Sequence, residues 1–372
     1  MLSARHLVSL LPAVLLGTLS CFPAKADTLA EADAQARQFM HATMQERGIP
    51  GMQVAVIRDG QVLLSESIGL ANVENGQPVT ATTLFPINSA TKAFTGVAMM
   101  QLVQAGRVDL EAPVSRYLPD LPQAWRQVRV RQLLAHTSGL PDIVDAQGLV
   151  GGGSEAEAWR VVERLPMQAK VGERFIYNQT NYGLLARIIE RQAAMPYENY
   201  VAERQFAPTG MRRSTFGDSY DLVAGAATMY SLFPRRTDAA DAPARLSHWF
   251  YDMPHGLWAG GGMQTTANEL AQWLVALMQG QLVDAHNLER MWTPERLSDG
   301  TPGDWAAGWP VSGGAPHREV NSMGGARAAL RIYPDEGLAV VVLTNLVGAN
   351  PQTFIAGIAG FYRSVPAGEQ RQ

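Results

Sequence analysis

Apolar residues in this chain recur with two different spacings, and each predicts a different element. Met52 to Arg58 and Val62 to Ile68 are runs rich in aliphatic and β-branched residues, joined by Asp59-Gly60. That dipeptide is a strong signal for a two-residue hairpin turn. Ala328 to Tyr333 and Leu338 to Leu343 repeat the arrangement around Pro334-Asp335-Glu336-Gly337 and predict a second hairpin. Helical spacing fills much of the rest. Thr28 to Arg47 reads as a helix stopped by Gly48-Ile49-Pro50-Gly51, and Phe94, Val97, Ala98 and Leu102 mark another from Ala93 to Ala105. Further helices are predicted over Val130 to Ala135, Glu155 to Arg164, Tyr182 to Ala194, Tyr197 to Phe206 and Ile355 to Phe361. Thr266-x-x-Glu269 is a capping box opening a helix that runs through Met278. Glycine-rich 148–154 and the polar, proline-containing 234–245 read as exposed loops.

Strands at both ends with helices between predict an α+β chain. Hairpins from the two termini share one antiparallel sheet flanked by helices, and the middle forms a mostly helical second lobe. On this reading 27–86 and 255–366 make the sheet lobe, 87–254 the helical lobe, and 367–372 a fraying tail.

Composition narrows the class. The 372 residues are 47% hydrophobic, ample for two packed units, and the formal net charge is only −4. Without a lysine- or arginine-rich block, the chain gives no reason to expect nucleic acid or a polybasic membrane contact. Residues 1–26 read as an export signal: Arg5 and His6, an apolar stretch from Leu7 to Leu19, and a small-x-small site at Ala24-Lys25-Ala26. That stretch is too short for a convincing membrane span. Cys21 offers a lipid anchor instead, but Thr18-Leu19-Ser20 fits a lipoprotein signal poorly, so cleavage after Ala26 is the expectation. Cleavage there removes the only cysteine, leaving a chain without disulfides in the periplasm or outside the cell, with no stable membrane insertion.

The candidate chemistry centres on Ser89-Ala90-Thr91-Lys92. Three residues apart on a helix, the hydroxyl and the amine share a face. A serine in the first turn has its own N–H and the positive helix end beside it to stabilise an oxyanion, and a buried lysine one turn on can serve as base. By itself Ser-x-x-Lys is a weak signal, since a helix cap followed by a solvated lysine gives the same letters. His136 raises the idea of a Ser-His pair, and His255 and His317 are lone histidines near glycine-rich turns. No His-Glu-x-x-His or paired-cysteine spacing points to a metal, and no Gly-x-Ser-x-Gly elbow is present.

The surrounding text is more specific. Asn75-Gly76-Gln77-Pro78-Val79-Thr80, Thr83-Leu84-Phe85-Pro86, Ser89 to Lys92, Leu102 to Gly106, Pro113 to Pro119 and Val130 to Pro141 form an ordered series that resembles the serine β-lactamase-like family. That family holds class C β-lactamases, D-alanyl-D-alanine peptidases and related esterases. The resemblance covers about Ile49 to Asn345 and implies an active site in the cleft between lobes, with no cofactor. It implies Ser89 as nucleophile and Lys92 and Tyr177 as proton-handling groups. For the Tyr-x-Asn motif this chain has Tyr177-Asn178-Gln179, so the amide role falls to Gln179, or to Asn181 or Asn178. The Lys-Thr-Gly or His-x-Gly motif aligns with Ser322-Met323-Gly324-Gly325, with Ser322 where a cation is expected and the Gly325 N–H as second oxyanion donor. On an unbroken strand Arg327 would face away from Ser322. His136 sits in text the family carries as a structural element. The expected function is an exported serine hydrolase forming an acyl-enzyme on a small-molecule or peptide ester or amide, most simply an esterase. A D-Ala-D-Ala carboxypeptidase, a β-lactamase, or a non-catalytic cell-wall or peptide-binding protein on the same fold are the alternatives. The oligomeric state is not legible.

Overall fold

The computed structural model describes residues 28–234 and 243–365. The export signal, the tail at 367–372 and most of the 234–245 loop lie outside the described residues. Helix α1, Leu29–Arg47, is capped at both ends as its sequence demands. The Thr28 hydroxyl accepts the Glu31 N–H while Glu31 reaches back to the Thr28 N–H, and Gly48 turns the chain left-handed at φ 65°.

Seven antiparallel strands form the main sheet: β1 (Gly51–Arg58), β2 (Gln61–Asn72), β3 (Gln77–Pro78), β4 (Val311–Ser312), β5 (Glu319–Gly324), β6 (Ala328–Tyr333) and β7 (Leu338–Thr344), in the order β4-β5-β6-β7-β1-β2-β3. The two predicted hairpins therefore meet at the centre, where β1 pairs with β7 from Met52↔Thr344 to Arg58↔Leu338. Strand β2 runs four residues past the predicted end because Leu70 and Asn72 pair with β3.

Alternate residues of the central strands feed two cores, one on each face. On one face Met52, Val54, Val56, Val340 and Val342 pack against α1 and the C-terminal helix α5 (Ile355–Tyr362; α2 to α4 follow). On the other, Ala55, Ile57, Leu330, Val341 and Leu343 join the core of the helical lobe. Burial on both faces explains the unbroken apolar run Leu338-Ala339-Val340-Val341-Val342-Leu343 in an antiparallel sheet.

Helices α2 (Thr91–Gln104) and α3 (Thr180–Ala193) carry site residues, and α4 (Ala267–Met278) packs on the main sheet. The expected capping box at α4 is only half formed. The Thr266 hydroxyl accepts the Glu269 N–H, but the Glu269 carboxylate turns outward to the N–H groups of Arg213 and Ser214. Tertiary packing redirected a local signal. The helix predicted from Tyr197 to Phe206 is α-helical only through Val201 and continues as a wider π turn, Ala202–Phe206. The segment after 210, read from sequence as helical lobe, returns to the sheet side: Thr215–Phe216 pairs with Met263–Thr265, and Tyr230–Ser231 runs parallel to Leu346–Val347.

Candidate active site

Ser89 is delivered by a constrained approach. Phe85–Pro86 pairs with Gln264 and Thr265, and the Ile87 N–H donates to the Met263 carbonyl at 3.0 Å. Asn88 then takes a left-handed φ of 44°, rare for a residue with a side chain, and the 3₁₀ turn Asn88–Ala90 leads into α2. A strained residue directly before a half-exposed hydroxyl is the kind of outlier that gathers at reactive sites.

Tyr177 and Ser89 meet at 2.8 Å, the phenol donating to Ser89 Oγ. Lys92 is fully buried beneath them. Its Nζ donates to Gln179 Oε1 at 3.0 Å and to the Gly260 carbonyl at 2.7 Å, and lies 4.7 Å from the centre of the Tyr177 ring and 4.9 Å from that of Tyr182. The amine thus lies against the face of the Tyr177 ring, its hydrogen bonds going to Gln179 and Gly260. A side chain on Gly260 would come within 2.6 Å of Gln179 Oε1, so glycine keeps that carbonyl accessible to the amine. The Gly260 contact was not legible in sequence, since its carbonyl meets an amine 168 positions away.

The three candidate amides separate cleanly. Gln179 touches Lys92, and Asp142 fixes it by accepting its backbone N–H at 2.8 Å. Burial raises the Asp142 pKa, while donated N–H groups, chiefly from Gln179, and the Lys92 charge pull against the rise. Asn181, also a substrate-binding candidate, is fully buried on the inner side of α3 and does not line the cleft. Its Oδ1 accepts the Ser138 hydroxyl at 2.7 Å and its Nδ2 lies 3.1 Å from His136 Nδ1. The one-helical-turn geometry that follows Asn178 aims it inward. Asn178 is likewise internal, its side chain bonded to the Leu140 carbonyl.

His136 belongs to this scaffold. Its Nδ1 accepts the Asn178 N–H at 3.3 Å, and its ring packs 4.4 Å from that of Tyr177, with Tyr182 and Trp305 on other sides. Burial first, then the Lys92 charge, holds its pKa well below the ordinary imidazole value, so it is a neutral prop for Tyr177. His255 pairs instead with Glu198 at 3.3 Å, and His317 is exposed beyond β4.

Strand β5 closes the opposite side. Ser322 and Gly324 face the start of α2 and Met323 points outward, as pleating requires. A side chain on Gly324 would sit 1.8 Å from the Ile87 carbonyl and 2.7 Å from the Ser89 nitrogen, so only glycine lets the strand lie against the Ser89 amide. Ser322 is buried, its hydroxyl 3.5 Å from the Ala90 carbonyl, and presents no charge to the cleft. Arg327 corrects the parity argument. The strand is broken by Gly325 and Ala326, both left-handed (φ 56° and 53°), and the guanidinium swings under the site, Nε donating to Asn88 Oδ1 at 2.6 Å.

Fold and site together define a class: a serine bonded to a tyrosine above a buried lysine, in a helical lobe set on a two-faced antiparallel sheet. The Beta-lactamase family profile matches residues 36–359, and the chain belongs to that family. Among solved structures it is similar to the octameric penicillin-binding protein homologue from Pyrococcus abyssi, with 28% identity, a TM-score of 0.71, and coverage of 88% of this chain and 76% of that one. A class C beta-lactamase mutant shares the fold at a TM-score of 0.73 and 20% identity, over 88% and 97% of the two chains. Among curated proteins, Protein flp of Staphylococcus aureus (strain MW2) is 31% identical over 179 residues, 46% of this chain and 36% of that protein. The chain thus matches little more than a third of that relative's length.

Proposed function

We propose that the protein is an exported serine hydrolase that forms an acyl-enzyme on Ser89 and prefers neutral esters. The observation carrying this reading is the Tyr177–Ser89 hydrogen bond of 2.8 Å above the buried Lys92. For acylation the bond must reverse, the Tyr177 hydroxyl first giving up its own proton: Ser89 Oγ then attacks the substrate carbonyl while its proton passes to Tyr177 Oη. The carbonyl electrons move onto oxygen, facing the N–H groups of Ser89 and Gly325. Collapse expels the leaving group, which takes the proton from Tyr177. Water then repeats the sequence on the acyl-enzyme and frees the acid. The Lys92 ammonium offsets charge developing during each transfer.

Tyr177→Phe keeps the ring that packs on His136 and deletes only the proton carrier. Its turnover of a p-nitrophenyl ester should fall about a hundredfold or more, with the melting temperature little changed. Full activity in this variant would move the base role to Lys92 alone.

Preference for neutral substrates follows from Ser322. A hydroxyl gives a hydrogen bond roughly half as strong as a charge-assisted one, and this hydroxyl is turned towards the Ala90 carbonyl. At the Ser322 position a substrate carboxylate meets a neutral hydroxyl in place of a cation. Side-by-side assays of short p-nitrophenyl esters, nitrocefin and a D-Ala-D-Ala peptide should therefore show ester turnover in excess. Nitrocefin hydrolysis far faster than ester hydrolysis would refute the ester reading.

A further inference from the structure

The junction between the nucleophile and the opposing strand is unusually bare. Gly324 and Gly325 bring the end of β5 onto the 3₁₀ turn with no side chain between them. The Ser89 N–H belongs to one side of this junction and the Gly325 N–H to the other. Across it runs one short polar bond, from Arg327 Nε to Asn88 Oδ1 at 2.6 Å. A side chain on Gly325 would come within 2.9 Å of both bonded atoms, so the bond fills the space the glycine leaves. Asn88, the residue before Ser89, is the one held at φ 44°.

Arg327 is also an expensive residue to place here. It is 2% exposed, and Nη1 has no hydrogen-bond partner. Its remaining polar environment is the ring of Tyr251, 4.8 Å from Cζ, and among the described residues no carboxylate within salt-bridge distance pairs with it. Burial lowers its pKa to about 10, which leaves it charged at neutral pH. A buried cation paired only with a neutral amide costs stability, and the cost is unexplained by packing. The same charge, unneutralised beside two oxyanion donors, stabilises the anion formed when Ser89 attacks.

We propose that Arg327 is a positioning residue for acyl transfer: through Asn88 it fixes the Ser89 and Gly325 amides as one oxyanion hole, and its charge supports the anion bound there. The inference rests on the hydrolase reading of Ser89. It assigns Arg327 to the reaction, and not to binding of a substrate carboxylate.

The test is a double-mutant cycle on the full chain with Arg327→Met and Asn88→Gly, the glycine tolerating the left-handed backbone while deleting the acceptor. Ester kcat and KM, the rate of Ser89 labelling by a fluorophosphonate, and the melting temperature are measured for each. Displacing one oxyanion donor costs about 10²–10³ in rate. Each single variant should therefore lose roughly a hundredfold in kcat and in labelling rate, with KM within about threefold. The double variant should be no slower than the worse single, and Arg327→Lys should recover much of the loss. If Arg327→Met does not fold, the kcat loss in Asn88→Gly decides. Wild-type kcat in the folded variants, losses that multiply, or a loss confined to KM for nitrocefin would overturn the inference while leaving the hydrolase reading intact. An unlabelled wild-type protein would bring down the hydrolase reading, and this inference with it.

Discussion

Ser89→Ala should abolish covalent labelling by fluorophosphonates and reduce ester turnover by roughly four orders of magnitude or more, as loss of an activated nucleophile does in serine hydrolases. The change deletes one half-exposed oxygen. Its side-chain partner is the hydroxyl of Tyr177, a residue more than a third exposed. The melting temperature should therefore stay close to that of the wild type. Intact-mass analysis after labelling checks the first part and calorimetry the second. A variant that is still acylated would place the nucleophile elsewhere and remove the basis for the proposed mechanism.

Lys92→Met should be almost as damaging to catalysis, and its effect on stability separates two opposing terms. Methionine fills nearly the same space on α2 but leaves Gln179 Oε1 and the Gly260 carbonyl without their donor. Each orphaned buried acceptor costs about 1–3 kcal/mol. Against that, a fully buried ammonium without a carboxylate at bonding distance no longer has to be desolvated, a gain of several kcal/mol. The two terms nearly cancel, so the folded variant should differ from wild type by no more than about 2 kcal/mol in denaturant titration. Acylation should nevertheless fall by roughly 10²–10⁴, because the charge behind Tyr177 is lost during proton transfer. A stable Lys92→Met protein with wild-type acylation would show that the buried amine is structural.

What the sequence by itself determined were features set by short-range rules. Capping at Thr28 and Gly48, the Asp59-Gly60 hairpin, the closing hairpin at Pro334–Gly337 and the helical period after Ser89 depend on neighbours within a few residues, and each element formed within a few residues of its expected ends. The Ser89-x-x-Lys92 spacing is of the same kind, although Ser89 lies on the 3₁₀ turn that leads into α2 and the amine bonds Gln179 and Gly260. Tertiary structure decided whatever depends on groups far apart in the chain. Glu269 left its own capping box for the backbone N–H groups of Arg213 and Ser214 and the Ser214 hydroxyl, because three donors from a segment more than fifty residues away converge on its two oxygens. Gln179 and Asn181 carry the same functional group two residues apart. The start of α3 between them turns one towards Lys92 and the other into the core beside His136. Arg327 shows the limit most sharply. Strand alternation predicts its direction only while the strand continues, and two left-handed residues at 325 and 326 send the guanidinium to Asn88, 239 positions away in sequence. Local periodicity cannot contain that bond, since its two ends are brought together only when the hairpins of both termini close into one sheet.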